Sequence, residues 1–197
     1  MMPFYDLSLT SDALGVSTES AVHDAGANWL VLLDTLGVGS AAIGLVWPCA
    51  PGSEDLATTV GAAINRARTG YLDERTILLP WQSVCANLVL GTEVAPDSAL
   101  SAQVLSVLGL SGVAARRPQG LSPFQCLVLG LGRAMLQYPE LLVIRDLHRH
   151  AAAVGQLRVL TRIEAELGEL TGCRRLHVVD RLRDAETFCD IFLQVKR

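Results

Sequence analysis

The sequence predicts an α/β fold with a mainly parallel sheet. Three observations carry this reading: short apolar runs alternate with helical-period segments, several of those runs are continuous rather than alternating, and no linker-like stretch or internal repeat divides the chain. Residues 4–10 (FYDLSLT) alternate apolar and polar and read as an edge or half-buried strand, and residues 29–33 read as a fully buried one. A glycine-punctuated turn at Gly37 and Gly39 follows, then a small-residue helical run from Ser40 towards Trp47, broken by Pro48, Pro51 and Gly52. The Ala-rich residues 56–68 read as a helix with Gly70 just beyond. Residues 99–108 read as another, stopped by Gly109. Ser122 is an N-cap with Pro123 at the first helical position, opening an apolar helix to about Tyr138. Residues 141–144 form the next buried strand. Leu157, Leu160, Ile163, Leu167 and Leu170 then recur at helical spacing. Residues 176–179 and 191–195 are the last strands, separated by a short helix. The 197 residues make a single domain.

Composition narrows the function classes. Half the residues are hydrophobic and 18% are charged, and the mean hydropathy of +0.36 excludes intrinsic disorder. A formal charge of −4 argues against a nucleic-acid binder held by bulk charge. The cysteines (Cys49, Cys85, Cys126, Cys173, Cys189) are odd in number and contain no CxxC pair, which reads as reduced thiols in a cytosolic protein. His148 and His150 form an HxH with no further ligand nearby in sequence and read as a solvated turn. His177 stands alone, so no metal is expected. Residues 1–10 show no signal peptide. Residues 28–47 are long enough to span a membrane. Asp34 would cost roughly 2.5–3.5 kcal/mol near the bilayer centre, and Gly37, Gly39 and Gly44 weaken a lone helix, so a strand, turn and helix explain the run better.

Several segments together resemble the nucleotide-binding subunit of an ABC transporter, a P-loop ATPase fold. Residues 121–142, LSPFQCLVLGLGRAMLQYPELL, look like the family's LSGGQ signature, its helix and the approach to the Walker B strand. Residues 107–120 resemble the run leading into the signature. Residues 77–91, ILLPWQSVCANLVLG, resemble the segment after the Q-loop, and residues 182–195 the helix and strand after the H-loop, with Ala185, Cys189 and Asp190 in matching places. The order and spacing of the set make it specific. The resemblance implies a small helical subdomain over about residues 80–135.

The family's chemistry needs backbone N–H groups and a Lys around the phosphates, a Ser/Thr on magnesium, a Walker B Asp and a residue that positions water. The loop taken to match the Walker A motif is Asp34, Gly37, Gly39, Ser40 and Ala41, with Ser40 at the Lys position and Ala41 at the Ser/Thr position. The only Lys in the chain is Lys196. Arg145 and Asp146 stand where the family has Asp and Glu; with the register slipped by one, Asp146 takes the magnesium role and Leu147 replaces the Glu. Glu74 stands at the Q-loop Gln and Asp180 at the H-loop His. No adenine-stacking aromatic occurs near Ser11, although Tyr5 is not far off. The resemblance therefore implies a pseudo-ATPase with no catalytic residues and no cofactor.

The same resemblance implies partners. An ABC ATPase subunit would meet the chain through its signature, here Ser122, Pro123, Phe124 and Gln125. Pro123 removes one N–H, and Phe124 brings bulk towards the phosphate side or packs in the core or an interface. A membrane permease would dock beside Glu74, Leu78, Leu79 and Trp81, where Trp81 is either an interface anchor or ordinary packing. The expected place is the cytoplasm, peripheral on the inner face of the membrane. The other reading is a soluble regulatory or scaffold protein that kept a degenerate ABC fold; exposure of the 78–81 stretch would favour docking.

Overall fold

The computed structural model describes residues 4–6, 42–46, 69–72, 77–145, 147–153, 155–179 and 191–194. Along the chain these give β1 (Phe4–Asp6), β2 (Ala42–Val46), β3 (Thr69–Leu72), α1 (Val84–Leu88), α2 (Ala99–Val107) and α3 (Pro123–Leu136). Then follow β4 (Leu141–Arg145), α4 (Leu147–Ala153), α5 (Leu157–Thr171), β5 (Arg174–Val179) and β6 (Ile191–Gln194). The six strands form one sheet in the order β1-β6-β2-β5-β4-β3, and every pairing is parallel.

Strand β4 (LLVIR) is an apolar run without alternation because both of its faces are covered, whereas β5 (RRLHVV) is buried from Arg175 to Val179 with Arg175 and His177 among its buried residues. Leu142 and Ile144 on one face of β4 are fully buried, and so are Leu141 and Val143 on the other. The first face meets α3 and α5 in one continuous apolar core that also holds Leu88, Leu110, Leu131, Met135, Leu160 and Leu167. Helix α5 buries Leu160, Ile163, Glu164, Leu167 and Gly168, an i, i+3, i+4, i+7, i+8 stripe in which one member is a carboxylate. Gly172 ends it at φ +68°, a left-handed conformation open to glycine, and its N–H donates to the Gly168 carbonyl.

Three expectations need correction. Residues 42–46 are a strand in the interior of the sheet, not a helical run, which also removes them from any membrane-spanning helix. Small residues (AIGLV) carry too little periodicity to separate a short buried strand from a helix. No strand was expected over residues 69–72, yet Gly70 lies within β3, where Leu142 Cδ1 would sit 3.0 Å from a Cβ on it, so close strand packing explains the glycine. His148 and His150 fall on helix α4, not a turn, and His148 is buried while His150 is exposed. The expected strand at 29–33 and helix at 56–68 lie outside the described residues, as does the short helix before β6. Among the described residues no helix is long and apolar enough to cross a membrane.

Candidate functional site

In an open parallel sheet, ligands bind beyond the carboxyl ends of the strands. Here Val46 of β2 lies level with Val179 of β5, and Arg145 of β4 with Val178 of β5. The three segments that follow β2, β4 and β5 therefore begin at Trp47, Asp146 and Asp180.

Residues 34–41 precede β2 in the sequence, whereas a strand–loop–helix phosphate motif follows its strand. The segment after β2 reads WPCAPGSE, residues 47–54. Set against GxxxxGK[ST], Trp47 takes the first glycine, Gly52 the second, Ser53 the Lys and Glu54 the Ser/Thr. Gly52 lies five residues after Trp47, the position next to β2, and residues 56–68 read as a helix beyond. Residues 34–41 and 47–54, with Glu74, Asp146 and Asp180, lie outside the described residues. Arg145 is the last residue of β4 and half-buried, so a cation stands at the carboxyl end of the Walker B-like strand.

The signature-like turn is well defined. Ser122 caps α3, its Oγ accepting from the Gln125 N–H at 3.2 Å, while the Ser122 N–H donates to Gln125 Oε1 at 2.9 Å. This reciprocal capping box engages both polar side chains in the helix start. Pro123 at N1 supplies no N–H, and its φ suits the first turn. Phe124 is half-buried against the apolar core, so of its two sequence readings the structure favours packing. Ser122 and Pro123 are exposed.

The loop before α1 carries the exposed apolar surface of this region. Ile77 is 75% and Trp81 65% exposed, whereas Leu78 and Leu79 are half-buried and Leu78 packs on the core. Three polar side chains hold this loop in shape. Asn87, fully buried, accepts from the Leu79 N–H at 2.7 Å and donates to the carbonyls of Leu79 and Ser83, each at 3.0 Å. Gln119 donates to the Pro80 carbonyl at 2.7 Å, and Arg133 of α3 donates to the Ile77 carbonyl at 2.9 Å. Partial burial of the Arg133 guanidinium lowers its pKa. Two of the three anchors come from the segment just before the signature turn and from the helix after it, so the Trp81 loop and that turn are one mechanical unit. Of the residues expected at the docking surface, the structure thus displays Trp81 and half-buries Leu78 and Leu79.

Comparisons with known proteins agree with this architecture. The chain is 32% identical over 118 residues to the aliphatic sulfonates import ATP-binding protein SsuB 1 of Streptomyces avermitilis, covering 57% of this chain and 43% of that protein. It is 31% identical over 141 residues to SsuB 2 of Paracoccus denitrificans, covering 69% and 55%. The chain thus spans about half the length of the curated relatives it matches. No family model matches. Among solved structures, an ATP-binding cassette of an ABC transporter in its ADP conformation superposes with a TM-score of 0.60 at 16% identity, over 80% of this chain and 79% of that one. An ABC transporter in an inward-facing conformation gives 0.58 at 14%, over 77% and 67%.

Proposed function

We propose that this chain, a homologue of ABC transporter ATP-binding subunits with the ABC ATPase fold, serves as a non-hydrolysing ATPase-like subunit. On this reading it docks on a membrane permease at the cytoplasmic face and pairs with an ATP-binding subunit. The observation that carries the reading is the sequence that follows β2 and β4: Ser53 follows Gly52 where the phosphate Lys belongs and Glu54 stands at the magnesium hydroxyl, while either Arg145 stands at the magnesium carboxylate or, with the register slipped by one, Asp146 does and Leu147 replaces the catalytic Glu. With Lys196 the only Lys of the chain, no shift of register supplies the cation. A carboxylate 4 Å from a phosphate costs about 1–4 kcal/mol, depending on effective dielectric, and losing the Lys removes an attraction of similar size. A guanidinium at the end of β4 opposes a divalent cation there. These residues do not fit a magnesium triphosphate, and no hydrolytic step is assigned to them.

Docking is supported by Trp81. A large aromatic side chain, exposed, on a loop held by Asn87, Gln119 and Arg133 is pre-organised for a hot-spot contact, because little ordering entropy remains to be lost on binding. Ser122 and Pro123, exposed on the helix tied to that loop, are the surface offered to the partner ATPase. Calorimetric titration with magnesium-ATP is expected to give no heat of micromolar binding; micromolar affinity would overturn the inactive reading. Affinity capture from gently solubilised membranes is expected to recover a polytopic permease with an intact-motif ATPase. Recovery of soluble proteins alone would replace the transporter role with the scaffold reading.

A further inference from the structure

Helices α4 and α5 and strand β5 bring together His148, Glu164 and His177, separated by 16 and 13 residues along the chain. Their side chains are 3%, 2% and 1% exposed. Glu164 Oε2 lies 3.1 Å from His148 Nε2 and 3.6 Å from His177 Nε2, and the two rings meet edge to face with centroids 4.5 Å apart. We propose that these three side chains form a buried site for one divalent transition-metal ion, zinc foremost, held by two imidazole nitrogens and a carboxylate.

Geometry and donor chemistry carry the proposal. One ligand atom from each residue lies within 4.8 Å of the others, the only such group of three among the described residues. Ligands at roughly 2.0–2.1 Å in a tetrahedron are about 3.3–3.4 Å apart, a value bracketed by the two measured separations. Two His and one Glu are an established zinc donor set. The second oxygen, Glu164 Oε1, is buried and makes no hydrogen bond among the described residues, which leaves it open to bidentate ligation. A carboxylate within the apolar stripe of α5 is costly unless it is compensated, and an ion would compensate it.

Arg175 makes the proposal sharper. It lies on the same face of β5 two residues before His177, and its guanidinium packs so closely on Gly168 of α5 that a Cβ there would meet Cζ at 3.0 Å. A neighbouring positive charge opposes a cation, so Glu164 must supply the attraction, and removing the Arg175 charge should tighten metal binding.

The test uses the full chain, stripped with chelator and titrated with zinc chloride, with cobalt(II) absorption as a second probe of coordination. The expected result is one zinc per chain with tetrahedral cobalt bands. Glu164→Gln should weaken binding at least tenfold, exposed His150→Ala should leave it unchanged, and Arg175→Met should tighten it. If Glu164→Gln fails to fold, the parent chain decides: zinc at a hundred times its dissociation constant should raise Tm by about 5–10 °C over the chelated form. Absence of saturable zinc uptake, or equal uptake by a folded Glu164→Gln variant, would overturn the site and leave a hydrogen-bonded polar cluster.

Discussion

The helical region of residues 77–136 and the carboxyl edge of the sheet rest on the same apolar core but employ their polar residues differently. In the helical region the buried and half-buried polar groups have partners that fix backbone. Asn87 satisfies both polar groups of Leu79, Arg133 holds the Ile77 carbonyl, and Ser122 and Gln125 cap each other. At the sheet edge the strands are in register, and on the proposed reading Arg145 and the residues that follow β2 do not match the ligands of a magnesium triphosphate. Packing and backbone satisfaction are conditions of folding, so a chain must meet them whatever it does. Phosphate and magnesium ligands contribute nothing to folding and can change without disturbing the sheet.

The comparison can be broken by substitution, taken in order of effect on stability. Asn87→Leu should cost about 2–3 kcal/mol, because the Leu79 N–H and C=O lose their partner in the interior, and lower Tm by about 5–10 °C. Urea unfolding checks this, and a near-neutral result would mean that the loop is not held as described. Gly132→Ala should cost about 1–2 kcal/mol, since its Cβ would meet Leu108 Cδ1 at 2.8 Å and Leu88 Cδ1 at 3.0 Å where α3 crosses α1. Trp81→Ala should change stability by less than about 0.5 kcal/mol while reducing permease capture at least tenfold. A large drop in Tm with capture intact would assign Trp81 to packing.

The smallest effect is kinetic and compares the two regions directly. Burial pushes the Cys173 thiol, at the start of β5, up to about 11, leaving about a thousandth of it ionised at pH 8. Cys85 and Cys126 in the helical region are half-buried and raised less far by the same cause. Iodoacetamide at pH 8 should therefore modify Cys126 well before Cys173, with mass spectrometry of peptides as the readout. The reverse order would mean that the sheet opens more readily than the helices.

Much of the helical region was legible because its signals are local. The Ser122–Pro123 start and the helix read to about Tyr138 follow from capping chemistry, and outside that region the amphipathic stripe from Leu157 to Leu170 follows from 3.6-residue periodicity; both act within a few residues. Strand β2 was not legible, since five residues (AIGLV) without alternation do not separate a short strand from a helix. His148 was misread for a related reason: HxH suggests a solvated turn only while the chain around it is taken as a loop. Glu164 among Leu160, Ile163 and Leu167 was the one local hint of a buried polar cluster.

What the sequence determined by itself was the α/β class, the order of its segments and the absence of any Lys before Lys196, because composition and local periodicity need no partner. Tertiary structure alone decided that residues 42–46 pair as a strand inside the sheet, that Trp81 is exposed, and that His148, Glu164 and His177 meet. Each of these depends on strand order or on contacts between residues far apart in the chain, which local propensity does not encode.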